Sequence, residues 1–251
     1  MSKTYIIANW KMNLMPEQAI KQAKAITKIY SKKKKDLELV ICPSFTEIAA
    51  IAKIVQPSIA IGAQDVFWEN KGSYTSGISA DALKYYGCQY VIIGHSERRQ
   101  YLHETDEIVN LKVKAALSAG LTPILCIGET FAERQEGKKE SVLFDQLSAG
   151  LKDVWLNKAD KLLIAYEPVW VIGSGQAVDP DEAEITHAAI KRSLLEFMPA
   201  GIVADNIAVL YGGSVNGMNV KSFLEKPSID GVLVGGASLD KDKFESIINY
   251  K

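Results

Sequence analysis

The chain has 251 residues, of which 47% are hydrophobic and 24% are charged, and its formal net charge is -1. This composition is typical of a globular protein with one large domain or two small ones, and the near-zero charge gives no general attraction to nucleic acid or to an anionic membrane. No apolar run approaches the roughly 20 residues that a membrane helix needs. The first residues lack the small-residue cleavage site of a signal peptide, and the three cysteines have no metal-like or disulfide spacing. We therefore expect a cytoplasmic protein with reduced thiols.

Eight short and nearly continuous apolar runs predict eight β-strands. Strands that are buried on both faces require such runs, because both faces pack against apolar side chains. The predicted strands are Tyr5–Trp10, Leu37–Cys42, Ile59–Gln64, Gln89–Gly94, Thr122–Ile127, Lys161–Tyr166, Asn206–Tyr211 and Ile229–Val234.

Helical patterns follow these strands, and several begin at a recognisable cap or at a proline in the first turn. The predicted helical segments run from Pro16 to the lysines near residue 32, from Pro43 to Ile54, from Ala80 to Tyr86 behind the cap Ser79, from Thr105 to Gly120, from Gly128 to Leu156, from Pro180 to about Met198 and from about Leu239 to Tyr250.

Two of these helices carry more specific predictions. The spacing in the helix behind Thr105 predicts a buried stripe made of Ile108, Leu111, Ala115 and either Leu117 or Ala119. The first helix ends in four lysines, Lys32 to Lys35. We interpret them as a solvated helix end rather than a nucleic-acid patch, because cations suit the negative end of the helix dipole.

Strict alternation of strands and helices indicates right-handed crossovers and a parallel sheet. Eight such units in a chain of this length predict an α/β fold of the closed (β/α)8 barrel type, with residues 1–251 in a single domain. The alternative is an open doubly wound sheet. That fold usually carries a glycine-rich dinucleotide fingerprint after its first strand, and the sequence has none there.

Polar residues and glycines gather where the predicted strands end, and in such a barrel those ends share one face. Each is weak evidence alone, because a lone lysine is usually solvated, a lone histidine is usually structural and glycine pairs usually mark turns. Their shared face is what favours a site. The candidates are Asn9 and Lys11 after strand 1, His95 and Glu97 after strand 4, Glu167 after strand 6, Ser214 in the Gly-Gly-Ser run after strand 7, and Gly235 and Gly236 after strand 8.

We interpret the segment after strand 6 as a catalytic base covered by a mobile loop, or lid. Glu167 ends the apolar run, Pro168 breaks the extended chain, and Val169–Ile172 is an apolar stretch closed by Gly173-Ser174-Gly175. We call residues Pro168–Val178 the lid. An apolar loop needs a burial partner, which a substrate beneath the lid would supply. The alternative is an ordinary loop with a buried acid.

The glycines after strands 7 and 8 predict a phosphate site, because backbone N–H groups approach a phosphate closely only where no Cβ intervenes. Gly173 would add a lid amide, and Ser214 a further donor. We expect a small phosphorylated metabolite as the ligand, with no metal and no cofactor.

This set of residues suits an aldose–ketose isomerisation through an enediolate. Glu167 would take a proton from the carbon beside a carbonyl, His95 would polarise the carbonyl oxygen, and Lys11 would neutralise the developing charge. A Schiff-base aldolase would need a lysine on a central or late strand facing the lumen, whereas Lys11 follows strand 1. A catalytically silent binding protein would be expected to have lost Glu167 or His95.

At these positions the chain closely resembles the triosephosphate isomerase family, over essentially its whole length. Five segments match the family's motifs in the family's order: Asn9–Asn13, Gly94–Arg99, Ala165–Trp170, Tyr211–Val215 and Val234–Leu239.

The resemblance implies a TIM barrel that interconverts dihydroxyacetone phosphate and glyceraldehyde 3-phosphate in glycolysis and gluconeogenesis. It implies that Glu167 is the catalytic base, His95 a neutral electrophile and Lys11 a substrate-binding cation, with Glu97 in the same catalytic group. The implied substrate contacts are Asn9, Lys11, Gly173, Ser214, Gly235 and Gly236.

The resemblance also implies a homodimer held by the loop Val66–Ser79. The chain departs from the family in this region, because Ser76-Gly77 replaces a Gly-Glu pair whose glutamate often pairs with the arginine at Arg98, and Asp65 replaces asparagine. The lid departs at Val171, Ser174 and Gln176, so we expect altered opening and substrate affinity with the chemistry retained.

Overall fold

The architecture is a closed barrel of parallel strands, seen in a computed structural model that describes residues 3–30 and 36–250. The interpretation of Lys32 to Lys35 falls outside these residues. The barrel strands are β1 (Thr4–Asn9), β2 (Leu37–Cys42), β3 (Ala60–Ala63), β4 (Cys88–Ile93), β5 (Thr122–Ile127), β6 (Leu162–Tyr166), β7 (Ile207–Tyr211) and β8 (Gly231–Val234).

Pairing of β1 with both β2 and β8 closes the sheet, with Tyr5 opposite Gly231 and Ala8 opposite Val234. The prediction of a (β/α)8 barrel is therefore confirmed over the open doubly wound sheet. Strand boundaries differ from the predicted ones by one or two residues, as expected where hydrogen bonding fades at strand ends.

Helices connect successive strands around the outside of the barrel. They are α1 (Pro16–Tyr30), α2 (Ile48–Val55), α3 (Ala80–Tyr85), α4 (Ser96–Leu102), α5 (Asp106–Ser118), α6 (Phe131–Gln135), α7 (Lys139–Gly150), α8 (Pro180–Leu194), α9 (Ala200–Asn206), α10 (Val220–Leu224) and α11 (Lys241–Ile248). Short 3-10 turns cover Phe45–Glu47, Val169–Val171 and Gly236–Leu239. None of the helices in the described ranges is long and apolar enough to cross a membrane.

The predicted caps are confirmed. Ser79 accepts a hydrogen bond from the N–H of Ala82, and Thr105 accepts one from that of Ile108. Gly120 ends α5 with a φ of +71°, a conformation that favours glycine. The predicted helix from Pro180 to Met198 was too long, because it stops at Leu194 and Pro199 precedes a separate helix, α9.

The predicted buried stripe of α5 was wrong. Leu111 is exposed, and the core-facing residues are Val109, Asn110, Lys112, Val113 and Ala116. Asn110 is buried because its side-chain amide donates to the carbonyls of Gly150 and Lys152. Polar side chains with internal partners thus occupy part of the face that an apolar periodicity assigns to the core.

Two apolar layers form the core. One fills the lumen with alternate residues from the eight strands, including Ile7, Leu163 and Ala165, and the other lies between the strands and the helices. Because side chains alternate along a strand, Asn9 faces the lumen like Ile7, and Glu167 faces it like Leu163 and Ala165. The parity of the strands therefore aims these two polar side chains at the carboxyl end of the lumen.

The cysteines belong to this core. Cys42, Cys88 and Cys126 are buried and free, and burial raises the pKa of each thiol, that of Cys88 to about 12. These thiols therefore stay protonated and act as packing groups.

Candidate active site

A cavity of about 600 Å³ opens at the carboxyl ends of the strands. The predicted residues that line it are Asn9, Lys11, His95, Glu167, Gly173, Ser214, Gly235 and Gly236. Glu97 does not line the cavity, but its carboxylate contacts the ammonium group of Lys11. A larger cavity of about 740 Å³, lined by Lys3, Tyr5 and Lys161, lies at the opposite end of the barrel and has no carboxylate–imidazole pair. The first cavity is therefore the candidate active site.

Glu167 lines this cavity and is held by two donors at the start of α4. The backbone N–H of Ser96 donates to Oε2 of Glu167 (2.9 Å), and Nε2 of His95 lies 2.9 Å from Oε1. The carboxylate is 2% exposed and the imidazole is also buried. A buried base in direct contact with an imidazole is arranged for proton transfer.

His95 occupies the N-cap of α4. Its Nδ1 accepts a hydrogen bond from the backbone N–H of Glu97 (3.2 Å). An acceptor nitrogen carries no proton, so a single ring proton belongs on Nε2, facing Glu167. The ring tautomer is thus fixed by the first turn of a helix.

The pKa values of the pair are shifted in opposite directions. Burial raises the pKa of Glu167, but the charge and hydrogen bond of His95, the Ser96 N–H and the charge of Lys11 outweigh it and hold this pKa below its ordinary value. Burial lowers the pKa of His95, and the carboxylate of Glu167 more than offsets it, so this pKa is raised. Both shifts depend on the two side chains staying in contact.

Lys11 is fixed in an uncommon conformation, with a φ of +50°. Its backbone N–H donates to Oδ1 of Asn9 (3.1 Å), and its carbonyl accepts from Ser44 Oγ (3.2 Å) and Gln64 Nε2 (2.9 Å). Its ammonium contacts Oε1 of Glu97 (2.5 Å). Three hydrogen bonds thus hold the backbone of Lys11 in a strained conformation. Such strain is typical of functional sites, where the backbone must point a side chain in one direction.

Glycines line the side of the cavity opposite the pair. A Cβ on Gly236 or on Gly173 would meet no atom within 4 Å, so their backbones border open space that a ligand could enter. Gly212 is required for a different reason. A Cβ there would lie 2.9 Å from Cγ of Glu167 and would displace the carboxylate.

The lid contacts a group of residues that the sequence analysis did not identify. The indole Nε1 of Trp170 donates to Oε1 of the buried Glu129 (3.0 Å), and the hydroxyl of Tyr166 donates to the same oxygen (3.2 Å). The guanidinium of Arg134 lies 4.4 Å from the Trp170 ring centroid. Val171 is buried in the core. Trp170 and Val171 therefore already have protein partners, whereas Ile172 is half-buried and lines the cavity, so it is the lid residue that a substrate could cover.

The tip of the lid is a compact turn around the carbonyl of Val171. That oxygen accepts hydrogen bonds from Ser174 Oγ (2.9 Å) and Ser214 Oγ (3.2 Å). Ser174 Oγ also accepts from the N–H of Gln176 (3.1 Å). At the end of the lid, the N–H of Val178 donates to the Tyr211 hydroxyl (3.2 Å). The lid is thus held at its start, tip and end by three separate contacts.

The loop Val66–Ser79 packs on itself through Phe67, whose ring lies 4.1 Å from that of Trp68 and 4.7 Å from that of Tyr74. It lies beside a charged cluster that explains one departure from the family. Arg98 Nη2 contacts Asp65 Oδ2 (2.7 Å), and its Nε contacts Glu104 Oε1 (2.6 Å). Arg98 is therefore neutralised within its own chain, without a glutamate at Ser76-Gly77.

The arrangement combines a buried carboxylate, an imidazole N–H, an ammonium group and open glycine backbone around one cavity. It suits proton abstraction next to a carbonyl in a phosphorylated substrate. Among residues 3–30 and 36–250, no three potential metal ligands lie together.

Comparison with known proteins agrees with this geometry. Residues 4–251 match the family model described as triosephosphate isomerase. The triosephosphate isomerase of Geobacter metallireducens is 46% identical over 99% of both chains, and that of Endomicrobium trichonymphae is 43% identical over 100% of this chain and 99% of its own. The crystal structure of triosephosphate isomerase from Bartonella henselae superposes with a TM-score of 0.88, at 36% identity and 98% coverage of both chains.

Proposed function

The chain belongs to the triosephosphate isomerase family, and from this membership we propose the role of each residue in its active site. The enzyme interconverts dihydroxyacetone phosphate and D-glyceraldehyde 3-phosphate, an intramolecular aldose–ketose isomerisation that serves glycolysis and gluconeogenesis. The observation that carries the residue assignment is the buried contact between Glu167 and His95 at the carboxyl end of the barrel.

Glu167 is the base that moves a proton between the two carbons of the substrate. Its two oxygens are engaged by Ser96 and His95, so it must leave both donors to reach a carbon atom. On leaving, it loses the contacts with His95 and Ser96, which outrank the charge of Lys11 among the causes that lower its pKa, and burial, which raises the pKa, remains. The movement towards the substrate therefore makes the carboxylate a stronger base.

His95 then donates its Nε2–H to the substrate oxygens. The contact with Glu167 is what raises the pKa of the ring, and it is lost in the same movement. Burial, the charge of Lys11 and the Glu97 N–H at Nδ1 remain and favour the neutral ring, and they outweigh the smaller opposing effect of the Glu97 carboxylate. A neutral imidazole donates a hydrogen bond to the developing enediolate without first becoming a cation.

Lys11 neutralises the negative charge of the enediolate and of the phosphate. Asn9 fixes its backbone, and Glu97 directs its ammonium group through the 2.5 Å contact. Glu97 thus acts through Lys11 and is a positioning residue.

The phosphate lies against the backbone N–H groups of Gly173, Ser214, Gly235 and Gly236. The open space beside Gly173 and Gly236 supports this placement, since a side chain there would point towards the ligand. The lid excludes water and so protects the enediolate from losing its phosphate.

The test of the base is Glu167→Asp, which shortens the side chain by one methylene. We expect kcat to fall about 100-fold, because an error of ~1 Å in the position of a catalytic group costs that much. The assay couples conversion of glyceraldehyde 3-phosphate to a dehydrogenase, and circular dichroism verifies the fold. A kcat within tenfold of the wild-type value would overturn the assignment.

We further propose a cytoplasmic homodimer in which residues 1–251 form one domain. The support for the dimer is a set of exposed apolar residues on the segments that follow four adjacent strands, β1 to β4, which we call the apolar face. Its residues are Met12, Met15, Phe45, Tyr74, Tyr101 and Leu102. Such a face on a globular protein favours burial against a partner. The free buried thiols suit a reducing compartment.

A further inference from the structure

The active-site cavity extends outwards beyond the glycines that border the phosphate position. Its outer part is lined by Asn216, Gly217 and Met218, which follow β7, and by Lys243 and Ser246 of α11. A cavity of about 600 Å³ is in the range that holds ligands much larger than a triose phosphate. The cavity therefore has room beside these residues that a bound triose phosphate would not fill.

Lys243 is fixed at the edge of this outer part of the cavity by the first turn of α11. The side chain of Asp240 caps the helix, accepting from the N–H groups of Asp242 (3.0 Å) and Lys243 (2.9 Å). The next residue, Phe244, is fully buried, and Ser246 Oγ donates to the carbonyl of Lys243 (2.6 Å). The backbone is thus anchored while the side chain of Lys243 is exposed.

Within the described ranges Lys243 forms no ion pair, although its charge is one of the smaller causes that lower the pKa of Asp240, whose carboxylate is occupied by the helix N–H groups. Lys11, the other lysine that lines the cavity, already contacts Glu97. Lys241, two residues away on the same helix, contacts Asp242 (3.3 Å) and Glu245 (4.0 Å) and does not line the cavity. Lys243 therefore differs from both neighbouring lysines in being open to an incoming anion.

We propose that Lys243 is an outer recruitment site for the phosphate dianion, which draws the substrate into the cavity and towards the glycines. The proposal rests on the phosphate position proposed above. A cation beside a concave site raises the local concentration of a dianionic ligand and its rate of association, and salt weakens this effect. Lys243 acts before the chemical step, so its charge affects capture of the substrate and not its conversion.

The test compares Lys243→Gln with Lys241→Gln, which removes the same charge from the same helix turn. For Lys243→Gln we expect kcat/KM to fall about fourfold at ~10 mM ionic strength and by less than about 1.5-fold at ~0.5 M, with kcat within twofold of wild type. The inhibition constant for inorganic phosphate should rise by a similar factor at low salt. Lys241→Gln should follow the wild type at both ionic strengths.

Two outcomes would overturn the proposal. The first is an equal salt dependence of kcat/KM in the two variants, which would show that only the net charge matters and not the position of the lysine. The second is a fall in kcat with unchanged kcat/KM, which would show that Lys243 acts after the substrate has been captured. Failure of the phosphate position itself is distinguishable, because inorganic phosphate would then not compete with the substrate in the wild-type enzyme.

Discussion

At the scale of single residues, the contacts of Glu167 control its pKa and so bear directly on its proposed role as the base. In the structure it accepts from Ser96 and His95, and these contacts keep its pKa low in spite of full burial. The same carboxylate without them is a buried acid whose pKa is raised by its surroundings. In the proposed mechanism, Glu167 is stable as an anion at rest and becomes a stronger base when it moves to the substrate.

Replacing His95 tests this balance. In His95→Gln, Glu167 loses the electrostatic effect of the imidazole, the larger of the two ways in which His95 lowers its pKa, and the opposing effect of burial remains. We expect the acid limb of the pH profile of kcat/KM to move to higher pH, in addition to a lower rate. His103→Asn, which removes an exposed histidine, is the control and should leave the limb in place. An unmoved limb in His95→Gln would contradict the proposed coupling.

The pair also affects stability, with opposite signs for its two members. Glu167, whose pKa lies below the ordinary 4.5, stabilises the fold above that pH, and this contribution is lost as the pH falls through the folded-state pKa. His95, whose pKa lies above 6.5, stabilises the fold below that pH, and this contribution is lost as the pH rises through the folded-state pKa. The pair therefore stabilises the fold most between these two values.

The site residues at the ends of apolar runs could be predicted from the sequence, but the residues that hold them in place could not. Glu167 and Asn9 are visible in the sequence because a polar side chain ends a run of buried ones. Gln64 and Ser44 act on the carbonyl of Lys11, a backbone group that leaves no trace in the sequence pattern. Glu129 follows strand β5 like many loop acids, and only the fold brings Trp170 to it.

At the scale of elements, the lid is organised by the hydroxyl of Ser174. That hydroxyl donates to the carbonyl of Val171 and accepts from the N–H of Gln176, so it joins two ends of the turn. The sequence marked Ser174 and Gln176 as departures from the family, but their effect depends on a turn geometry that spacing alone does not define. The contact at Gln176 uses its backbone N–H and is therefore independent of its side chain, so the structure explains a role for Ser174 and none for the side chain of Gln176.

Ser174→Ala should loosen this turn. Each lost hydrogen bond is worth about 0.5–1 kcal/mol, and the turn is exposed, so we expect KM to rise about two- to fivefold. Ser174→Thr keeps the hydroxyl and should behave like the wild type. Steady-state kinetics and the fluorescence of Trp170 with a bound substrate analogue would measure the change. Identical KM values in the two variants would show that the hydroxyl does not control the lid.

Helix α5 shows why element faces are harder to predict than element positions. Its cap Thr105 and its end Gly120 were correctly assigned, because both depend on local backbone chemistry. Its buried face was not, because Lys112 is only 3% exposed and contacts Asp65 (2.6 Å) and Glu104. The partners of Lys112 come from other elements, so its burial is decided by tertiary structure.

At the scale of the whole molecule, the exposed apolar face predicts association. Tyr74 belongs to the loop Val66–Ser79 and is 46% exposed, although it also packs on Phe67. Because Arg98 is neutralised by Asp65 and Glu104, the partner need not supply an acid to it. The face can therefore be buried without leaving that charge unpaired.

A charge placed on this face should separate the subunits. For Tyr74→Asp we expect the dissociation constant of the dimer to rise by roughly 30-fold or more, since burying an unpaired carboxylate in place of an aromatic anchor costs about 2 kcal/mol or more. Sedimentation velocity over a range of concentrations measures it. Trp155→Asp, at an exposed aromatic before β6, is the control. Tyr101→Asp repeats the test outside the loop, and unchanged sedimentation in both face variants would argue against the dimer.

The pairing of β1 with β8 has a consequence for how folding and ligand binding are linked. Lys11 follows the first strand and Gly236 follows the last. The ammonium group and the backbone N–H groups proposed to bind the phosphate therefore share a cavity only after the ring of strands has closed. A partly folded chain with six or seven strands in place offers no complete binding site. A phosphate-bearing analogue therefore selects the fully closed barrel, and its affinity adds to the resistance of the entire enzyme, rather than of one loop, to heat and proteolysis.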